Sequence, residues 1–296
     1  MITGASDTRP WCNPRPMPDV LLATDNQNPT LLDDDRLLVD ALSALGFNSL
    51  PAVWKDPSVD WGSAGAVVLR SVFDYTSDRE RFLEWVDHVE TKTTLHNPAR
   101  LVRWNSHKSY LRELEGRGVP IVPTAWIDAG TTVDLAAVLE ERGWRDAVVK
   151  PTVGNGARGA RRVTADDGRA HLNALLAERD VMIQPYLPAT EEPGEHALIH
   201  IGSRFSHAIR KDQMLAGRPF SFDRTPPTDP DPRELDIAAN VLDVIPESPL
   251  LYARVDTLID GDVVRLMELE VIEPVLFFSK APGSADRMAK EIAARL

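Results

Sequence analysis

Residues 148–162 have the sequence VVKPTVGNGARGARR, which joins an apolar segment, a lysine and a glycine-rich run. Residues 147–149 predict a short buried strand, at whose end Lys150 would carry its ammonium group into a cleft. The run after the lysine contains three closely spaced glycines, Gly154, Gly156 and Gly159. Such spacing lets backbone N–H groups approach an anion without interference from Cβ atoms. The stretch predicts a mobile loop over the phosphates of a nucleotide, and the alternative is a β-hairpin turn with solvated arginines.

The composition limits what kind of protein this is. With 296 residues the chain can bury a large core, and we expect two or three closely packed lobes. Its formal net charge of −12 argues against nucleic acid or an anionic membrane surface as the main partner. No apolar run approaches the roughly 20 residues that span a bilayer, and residues 1–18 lack a hydrophobic signal core. The single cysteine, Cys12, cannot form an intramolecular disulfide, so a reducing, cytoplasmic location is expected.

The segments before the glycine-rich stretch alternate between apolar runs and helical spacing. Three runs are candidate strands: residues 19–24, 47–53 and 66–70. Two segments space their apolar residues as helices do: residues 31–45 and 79–89. This order predicts an open α/β sheet covered by helices. A further helix is expected to begin near residue 104, with Asn105 or Ser106 as its cap and Lys108 in its first turns.

Polar residues follow the third candidate strand directly. They are Arg70, Ser71, Asp74 and Tyr75. Ligands of open α/β sheets bind beyond the carboxyl ends of the strands, so these residues are candidates for a substrate site. The alternative is an Arg70–Asp74 ion pair that only closes a loop.

The second half of the chain adds further elements. Candidate strands are residues 119–127, 181–187, 197–201 and 205–209, and candidate helices are residues 133–142, 171–178, 235–244 and 286–296. The last two of these strands predict a hairpin that ends in Arg210 and Lys211. Residues 217–232 are rich in proline and aspartate and predict a long loop, which is a candidate lid or part of a substrate pocket.

An acidic pair of strands is predicted near the end of the sequence, at residues 250–259 and 263–272. Each strand carries two charged residues that are two positions apart and therefore share one face: Arg254 and Asp256, then Glu268 and Glu270. Carboxylates within apolar strands are costly unless a cation or a hydrogen-bond donor compensates them. A cluster of oxygen ligands of this kind suits Mg²⁺.

The pairing of the two strands decides whether these residues can meet. A three-residue connection at residues 260–262 would place Arg254 opposite Glu268 and all four charged residues on one face. A two-residue turn would put Asp256 and Glu268 on opposite faces, so we predict an odd-length loop or a bulge. The alternative is a half-exposed hairpin whose acidic residues face water. Leu266 argues against it, because it is apolar and shares the parity of the glutamates.

These motifs, in this order, resemble the ATP-grasp superfamily between about residues 105 and 274. The shared elements are a first lysine, a second lysine that ends a strand, a glycine-rich loop, a hinge strand and a late Asp…Glu-x-Glu set. The resemblance implies an α/β (α+β) fold of the glutathione-synthetase-like ATP-grasp type. The implied parts are a disordered tail at residues 1–18, an N-terminal α/β domain at 19–104, and two nucleotide-clamping α+β lobes at 105–184 and 185–296.

The resemblance also implies roles for individual residues. The implied ATP contacts are Lys108, Lys150, Gly154, Gly156, Gln184, Leu187 and Lys211, with Glu191 or Glu192 toward the ribose. The implied Mg²⁺ ligands are Asp256, Glu268 and Glu270. Arg254, in a segment similar to one in D-alanine:D-alanine ligases, would act in catalysis with Lys150 by stabilising the reacting carboxylate and acyl phosphate. Most members have Glu-x-Asn where this chain has Glu268-Leu269-Glu270, and Glu273 could then face metal or substrate.

Within the superfamily, the chain is most similar to the cycloserine synthetase type, an O-ureido-D-serine cyclo-ligase. Three segments carry this resemblance: residues 69–75, 103–108 and 267–274. It implies ATP-dependent activation of a carboxylate, followed by ring closure onto an internal nitrogen of a small amino-acid-like substrate. The implied substrate site consists of Arg70, Ser71, Asp74, Tyr75, Glu195, Arg254 and Glu273.

Three other functions remain open from the sequence. The first is an intermolecular carboxylate–amine ligase, the second a phosphotransferase acting on a hydroxyl group, and the third a nucleotide-binding scaffold that has lost its chemistry. We expect neither nucleic acid nor a membrane as a partner, and leave a homodimer open.

Overall fold

The computed structural model describes residues 17–213, 221–246 and 250–296. The predicted tail at residues 1–18 lies almost entirely outside the described residues, as does the start of the predicted loop at residues 217–232. Within the described ranges, no helix has the length and apolar character needed to cross a membrane. The same ranges contain three β-sheets, on which the fold is built.

The N-terminal sheet has four short parallel strands in the order β2–β1–β3–β4. They are β1 (Val20–Thr24), β2 (Ser49–Val53), β3 (Ala66–Ser71) and β4 (Thr94–His96). The helices α1 (Asp33–Ala44) and α2 (Arg79–Glu90) cover opposite faces, with Leu38 in one core cluster and Phe82 in the other. Burial on both faces explains why the two central strands, β1 and β3, consist largely of apolar residues. The predicted open α/β sheet is confirmed.

The turn that carries Lys108 differs from its prediction. A single helix was expected to begin near residue 104, but α3 (Ala99–Asn105) ends there and α4 (Tyr110–Gly116) begins only after a turn. Lys108 lies in this turn, and its backbone N–H donates to the carbonyl of Thr152 at 2.9 Å. The lysine is therefore fixed beside the start of the glycine-rich loop rather than on a helix surface.

The two side chains expected to cap a helix here have other partners. Asn105 Nδ2 donates to the carbonyl of Leu269 at 2.8 Å, and Ser106 Oγ donates to the carbonyl of Arg103 at 2.8 Å. The predicted caps are wrong, because Asn105 joins this turn to a strand that lies far away in the sequence.

The central sheet has four antiparallel strands in the order β5–β8–β6–β7. They are β5 (Ala125–Ile127), β6 (Ala147–Pro151), β7 (Arg161–Val163) and β8 (Val181–Pro185). The helices α5 (Leu135–Arg142) and α6 (Arg169–Leu176) pack on the sheet in a cluster that includes Leu139, Leu172 and Ile183. Because β6 and β7 pair with each other, the glycine-rich run between them is the connection of a β-hairpin.

The C-terminal sheet has five antiparallel strands in the order β11–β10–β9–β12–β13. They are β9 (His196–Ile201), β10 (Arg204–Arg210), β11 (Pro227–Thr228), β12 (Tyr252–Asp260) and β13 (Val263–Glu270). The helix α7 (Pro232–Val244) packs in the same cluster as this sheet, through Ala238 and Val241 against residues such as Val255. Both predicted hairpins are confirmed.

Residues 221–232 are more regular than the predicted long loop. They contain a 3-10 turn at Phe222–Arg224, the strand β11 and the first residue of α7. Asp231 and Glu234 form a capping box at the start of α7, which accounts for part of the proline and aspartate content. The long-loop prediction is wrong for this part of the segment, and a lid role remains a prediction.

The final helix, α8 (Ser284–Ala293), returns to the N-terminal sheet. Its residues Met288 and Ile292 share a core cluster with Leu38 of α1 and Ile199 of β9. One face of the N-terminal sheet and one face of the C-terminal sheet are thus buried in the same core. The division into an N-terminal domain and two lobes remains a prediction.

A buried ion pair ties β3 to α1. Arg70 Nε and Nη2 donate to Asp35 Oδ1 at 3.0 and 2.7 Å, and both side chains are almost inaccessible to solvent. We expect Asp35→Ala to lower the free energy of unfolding by about 3–5 kcal/mol, because it leaves a buried guanidinium without its counter-ion. Urea unfolding followed by circular dichroism measures this loss.

Asp33→Ala is the matched control, because Asp33 lies in the same first helical turn. Its side chain is 94% exposed and pairs with Arg36 at 3.0 Å. The loss expected for this control is within about 0.5 kcal/mol. Equal losses for the two variants would contradict the assignment of stability to the buried pair.

Candidate active site

A bulge in β13 brings the acidic residues of the last hairpin to one face. The connection is a two-residue turn, because Asp260 pairs with Val263. The pairing then shifts by one residue, which leaves Met267 as the extra residue of the bulge. Of the two predicted solutions, an odd-length loop or a bulge, the structure has the bulge.

The bulge decides which residues lie opposite each other. Arg254 pairs with Glu270 and Asp256 pairs with Glu268, so the predicted pairing of Arg254 with Glu268 is wrong. All four residues nevertheless share one face, as predicted. Leu266 lies on the other face, fully buried in the core. The parity argument from Leu266 is wrong, because the bulge reverses the alternation between positions 266 and 268.

Three carboxylates of this face lie close enough to bind one metal ion. One oxygen from each of Asp256, Glu268 and Glu270 lies within 4.8 Å of the other two. Asp256 is fully buried, whereas the two glutamates are partly exposed. An oxygen-only donor set with an open side fits a hard divalent cation such as Mg²⁺, which retains water or substrate oxygens as further ligands.

Cationic side chains surround these carboxylates. Lys108 Nζ lies 2.6 Å from Glu268 Oε1. Arg254 donates from Nε and Nη2 to the two oxygens of Asp256, at 2.8 and 3.0 Å. Its Nη2 also lies 2.5 Å from Glu270 Oε1. The negative charge is therefore compensated by Arg254 from β12 and by Lys108 from the turn before α4.

Lys211 joins a further acidic residue to this cluster. Its Nζ lies 2.7 Å from Asp256 Oδ2 and 2.9 Å from Glu195 Oε2. Burial disfavours the charged amine, but the two carboxylates outweigh burial and raise the pKa of Lys211. Lys211 is thus a permanent cation at the predicted phosphate site, and Glu195 reaches the cluster through it.

Lys150 lies at the end of β6, as predicted, and its pKa is affected by the charged groups of the same cluster. Burial lowers its pKa to about 8, with attraction from Glu268 and Glu195 opposed by repulsion from Lys108 and Lys211. An anion bound beside this lysine would raise its pKa again and favour the charged amine.

The carboxyl groups of the cluster differ in their protonation. Burial disfavours the charged forms of Asp256 and Glu268, but the adjacent cations outweigh burial and lower the pKa of each. Burial raises the pKa of Glu270 to about 7, where the other carboxylates oppose the attraction of Arg254. Burial, followed by repulsion from Glu270, raises the pKa of Glu273 to about 8.

The glycine-rich loop contacts the cluster. Lys108 Nζ donates to the carbonyl of Gly154 at 2.7 Å. Asn155 Nδ2 donates to the carbonyl of Phe73 at 2.9 Å and to Glu273 Oε1 at 3.0 Å. The glycine-rich run is a β-hairpin connection, which was the alternative to a phosphate-binding loop. Its residues Gly154 and Asn155 nevertheless contact the acidic cluster and the cleft beside it.

The far end of the loop faces solvent. Gly156 and Arg158 are exposed. Arg162 in β7 lies 2.5 Å from Asp146 and 3.5 Å from the centre of the Tyr186 ring. The arginines of this stretch thus include a surface pair of the kind expected for a simple hairpin.

Of the polar residues at the end of β3, Tyr75 lines the cleft beside the cluster. It is 5% exposed and shares the cleft wall with Ser106, Glu270 and Glu273. Arg70 and Ser71 instead bind Asp35, and the Ser71 Oγ contact measures 2.7 Å.

Asp74 is held by two neighbours of its own. It accepts from Trp54 Nε1 at 2.6 Å and from Lys55 Nζ at 2.7 Å. The alternative Arg70–Asp74 ion pair is therefore wrong. Helix α1 supplies the counter-ion of Arg70, and the segment after β2 supplies the partners of Asp74.

The residues predicted to contact adenine and ribose lie at the end of β8 and in the segment that follows it. Gln184 is buried and donates from Nε2 to Thr124 Oγ1 at 2.9 Å. The segment between β8 and β9 carries Leu187, Glu191 and Glu192. Tyr186 Oη donates to Glu191, so this segment is partly fixed by its own side chains.

Sequence reasoning missed some residues that line the cleft. Asn155 has an uncharged polar side chain within the glycine-rich run, and that position was a signal that could have been used. Asn105 and Ser106 were interpreted as helix caps, although they line the same cleft. Nothing in their spacing shows the contact with a strand that is about 160 positions later.

The fold and the site together define an ATP-grasp ligase. The chain has the fold of the D-alanine–D-alanine ligase from Bacillus anthracis solved in complex with ATP, with a TM-score of 0.64. That match covers 93% of this chain and 96% of the ligase at 13% identity, a level that shows the shared fold alone. The superfamily predicted from the two lysines and the acidic hairpin is confirmed.

Within this class, the chain belongs to the cycloserine synthetase family. Residues 20–97 match the family described as the N-terminal domain of the D-cycloserine synthetase DcsG. The chain is 32% identical to the cycloserine biosynthesis protein DcsG of Streptomyces lavendulae over 278 residues, which is 88% of this chain and 92% of that protein. The crystal structure of D-cycloserine synthetase DcsG matches with a TM-score of 0.85 and 31% identity, over 93% of this chain and 99% of that one.

The buried Glu273 generates a prediction about pH. Its ordinary pKa of 4.5 is raised to about 8 in the folded state, so the protonated form stabilises the fold. This stabilisation is complete below pH 4.5 and is lost as the pH rises through about 8. We expect the free energy of unfolding to fall between pH 5 and pH 8.5, with Glu273→Gln removing a decrease on the order of 3 kcal/mol.

Urea unfolding at the two pH values measures the effect, with nucleotide and divalent metal omitted. Glu141→Gln, in an exposed position of α5, is the control and should show the pH dependence of the wild type. If Glu273→Gln also retained the full decrease, burial would not be perturbing this carboxyl group.

Proposed function

We propose that the protein uses ATP to convert a carboxylate of a small amino-acid-like substrate into an acyl phosphate, which an internal nitrogen attacks to close a ring. The observation that carries this proposal is the meeting of lysines from three separate segments with the buried carboxylates of the last hairpin. The contacts are Lys108 with Glu268 and Lys211 with Asp256, and Lys150 is electrostatically coupled to Glu268. The relative DcsG is named a D-cycloserine synthetase, which supports ring closure.

The carboxylates are suited to hold Mg²⁺. Asp256, Glu268 and Glu270 would be its ligands, and the ion would supply positive charge that neutralises the phosphates. The raised pKa of Glu270 implies that this group loses a proton when a cation binds. Glu270 takes the position that is asparagine in most of the superfamily, so this site carries one more negative charge.

The nucleotide would lie between the central and C-terminal sheets. Its phosphates would contact Lys108, Lys150, Lys211 and the backbone N–H groups of Gly154 and Gly156. The adenine and ribose would contact the segment that includes Gln184, Leu187 and Glu191 or Glu192. An adjacent phosphate would also raise the pKa of Lys150, which burial has lowered.

The chemistry consists of two displacements. A substrate carboxylate oxygen attacks the γ-phosphorus, and the bond from that phosphorus to ADP breaks. The substrate nitrogen then attacks the acyl carbon, and inorganic phosphate leaves. Arg254 would stabilise the oxyanions of both steps, because its Nη1 has only a long 3.5 Å contact with the carbonyl of Val275 and so keeps donor capacity for substrate.

The substrate would occupy the cleft beside the acidic cluster. Tyr75 and Glu273 line this cleft, Arg254 contacts it through Glu270, and Glu195 approaches the cluster through Lys211. Arg70 supports the wall from behind, since its Nη2 donates to the carbonyl of Pro274 at 3.0 Å. We retain Ser71 and Asp74 as candidate residues of the same wall.

The cell supplies ATP and Mg²⁺ in the cytoplasm, and we place the enzyme there. An intermolecular ligase is the second candidate, because the phosphate and metal groups would serve it equally well. The identity of the nitrogen donor separates the two reactions.

The reaction itself is tested by supplying one organic substrate at a time. We expect an amino-acid derivative with an internal amide or ureido nitrogen to stimulate ADP release without any added amine, and mass spectrometry to detect the cyclic product. A requirement for a second amine would instead identify an intermolecular ligase. A phosphorylated product that accumulates would identify a phosphotransferase.

The metal site is tested with Glu270→Gln. We expect substrate-dependent ATP turnover to fall about 100-fold and half-saturation to require more Mg²⁺, because one anionic ligand is lost. Calorimetric titration with Mg²⁺ and a non-hydrolysable ATP analogue measures the loss of binding independently of turnover.

Asp262→Asn is the control for this variant. Asp262 is an exposed acidic residue at the tip of the same hairpin, outside the cluster. Its replacement should leave both measurements near the wild-type values. Unchanged turnover in Glu270→Gln would rule out the proposed metal role.

A further inference from the structure

Asn155 connects three parts of the chain that are far apart in sequence. It lies in the loop between β6 and β7, and its Nδ2 donates one hydrogen to the carbonyl of Phe73 at 2.9 Å. The other hydrogen goes to Glu273 Oε1 at 3.0 Å. The carbonyl of Phe73 begins the 3-10 turn after β3, and Glu273 follows β13. One amide group therefore connects the glycine-rich loop to the turn after β3 of the N-terminal sheet and to the segment after β13.

These two contacts lie at the edge of the cleft. Tyr75, in the same 3-10 turn as Phe73, is 5% exposed, and Glu273 is 6% exposed. The residue before Asn155 is also held, because Lys108 Nζ donates to the carbonyl of Gly154 at 2.7 Å. The loop is thus held at two successive residues. Gly154 binds Lys108, a proposed phosphate contact, and Asn155 binds Glu273, a proposed substrate contact.

We infer that Asn155 is a positioning residue that fastens the glycine-rich loop over the acyl phosphate and keeps water from it. This inference rests on the proposed function for its chemical consequence. Asn155 uses both hydrogens of its amide and touches the walls of the cleft, so its effect on the reaction acts through the position of the loop.

An unfastened loop has a defined chemical outcome. Water attacks the acyl carbon, the bond from that carbon to the phosphate oxygen breaks, and the free carboxylate and inorganic phosphate result. The net reaction is hydrolysis of one ATP to ADP and phosphate, with the substrate regenerated. Loss of Asn155 therefore raises the number of ATP molecules consumed for each ring that is closed.

The first measurement is this ratio, obtained from ADP release and cyclic product in the same reaction. The wild type should consume about one ATP for each product molecule. Asn155→Ala should raise the ratio at least about threefold, while the KM for ATP changes less than the rate of product formation. Asn155→Asp should raise it as well, because it removes the amide donor to the carbonyl of Phe73 and to Glu273.

The second measurement follows the loop directly and needs no turnover. Arg158 is exposed within the loop, so trypsin can cleave after it when the loop opens. Mass spectrometry should show cleavage after Arg158 at least about fivefold faster in Asn155→Ala than in the wild type, with or without a non-hydrolysable ATP analogue and Mg²⁺.

Asn173→Ala is the matched control, because Asn173 is an exposed asparagine on α6 of the same sheet. It should match the wild type in both measurements, and thermal unfolding should confirm that all variants are folded. An unchanged ATP-to-product ratio in Asn155→Ala overturns the inference, and so does an unchanged rate of cleavage.

Failure of the proposed function gives a different result. The wild type itself then forms no cyclic product from any single substrate. The rate of cleavage after Arg158 alone then decides whether Asn155 fastens the loop.

Discussion

The buried negative charge of Asp256 is the constraint on which the rest of the site depends. This carboxylate is fully inaccessible to solvent and lies beside two further carboxylates of β13. A buried carboxylate is stable only with cations and hydrogen-bond donors at close range. Arg254 comes from the same strand, but Lys211 must be brought by β10. The packing of the C-terminal sheet therefore fixes both the carboxylate and its compensation.

Helix α1 and the N-terminal sheet form hydrogen bonds with the segment that follows the acidic hairpin and with β12. Asp34 accepts the backbone N–H groups of Phe278 and Ser279, each at 2.9 Å. The hydroxyl oxygen of Tyr252 lies 2.8 Å from the carbonyl oxygens of both Leu69 and Ile272, which share its single hydrogen. Polar groups at the ends of the first sheet are thus used as supports for the last strands. Buried polar side chains occur where the N-terminal sheet meets the C-terminal sheet because they form hydrogen bonds between the two.

The sequence was sufficient to predict the parts of the site that depend on local pattern. Lys150 at the end of a strand, the acidic hairpin and the need for either an odd-length loop or a bulge all follow from alternation and from the cost of burying carboxylates. The ATP-grasp resemblance then supplied the connection between the two halves. Periodicity is a local property, and it was informative within regular strands but failed across the bulge at Met267.

Long-range pairing could not be obtained in this way. Asp74 and Asp35 are both plausible partners of Arg70 in the sequence, and only the packing of α1 against β3 selects Asp35. The position of Lys108 depends on Asn105 binding to β13, which interrupts the expected helix. The exact register of the acidic hairpin was also beyond reach, because the position of a bulge depends on side-chain packing on both faces.

The return of α8 to the first sheet has a consequence for how the chain acquires its structure. Met288 and Ile292 cover the same apolar surface as α1, and β9 contributes Ile199 to it. During synthesis this surface remains without part of its cover until the far end of the C-terminal sheet has been made. The first β-α-β segment is therefore prone to aggregate when it emerges from the ribosome. A chain that ended before α8 would expose the apolar surface that Met288 and Ile292 cover.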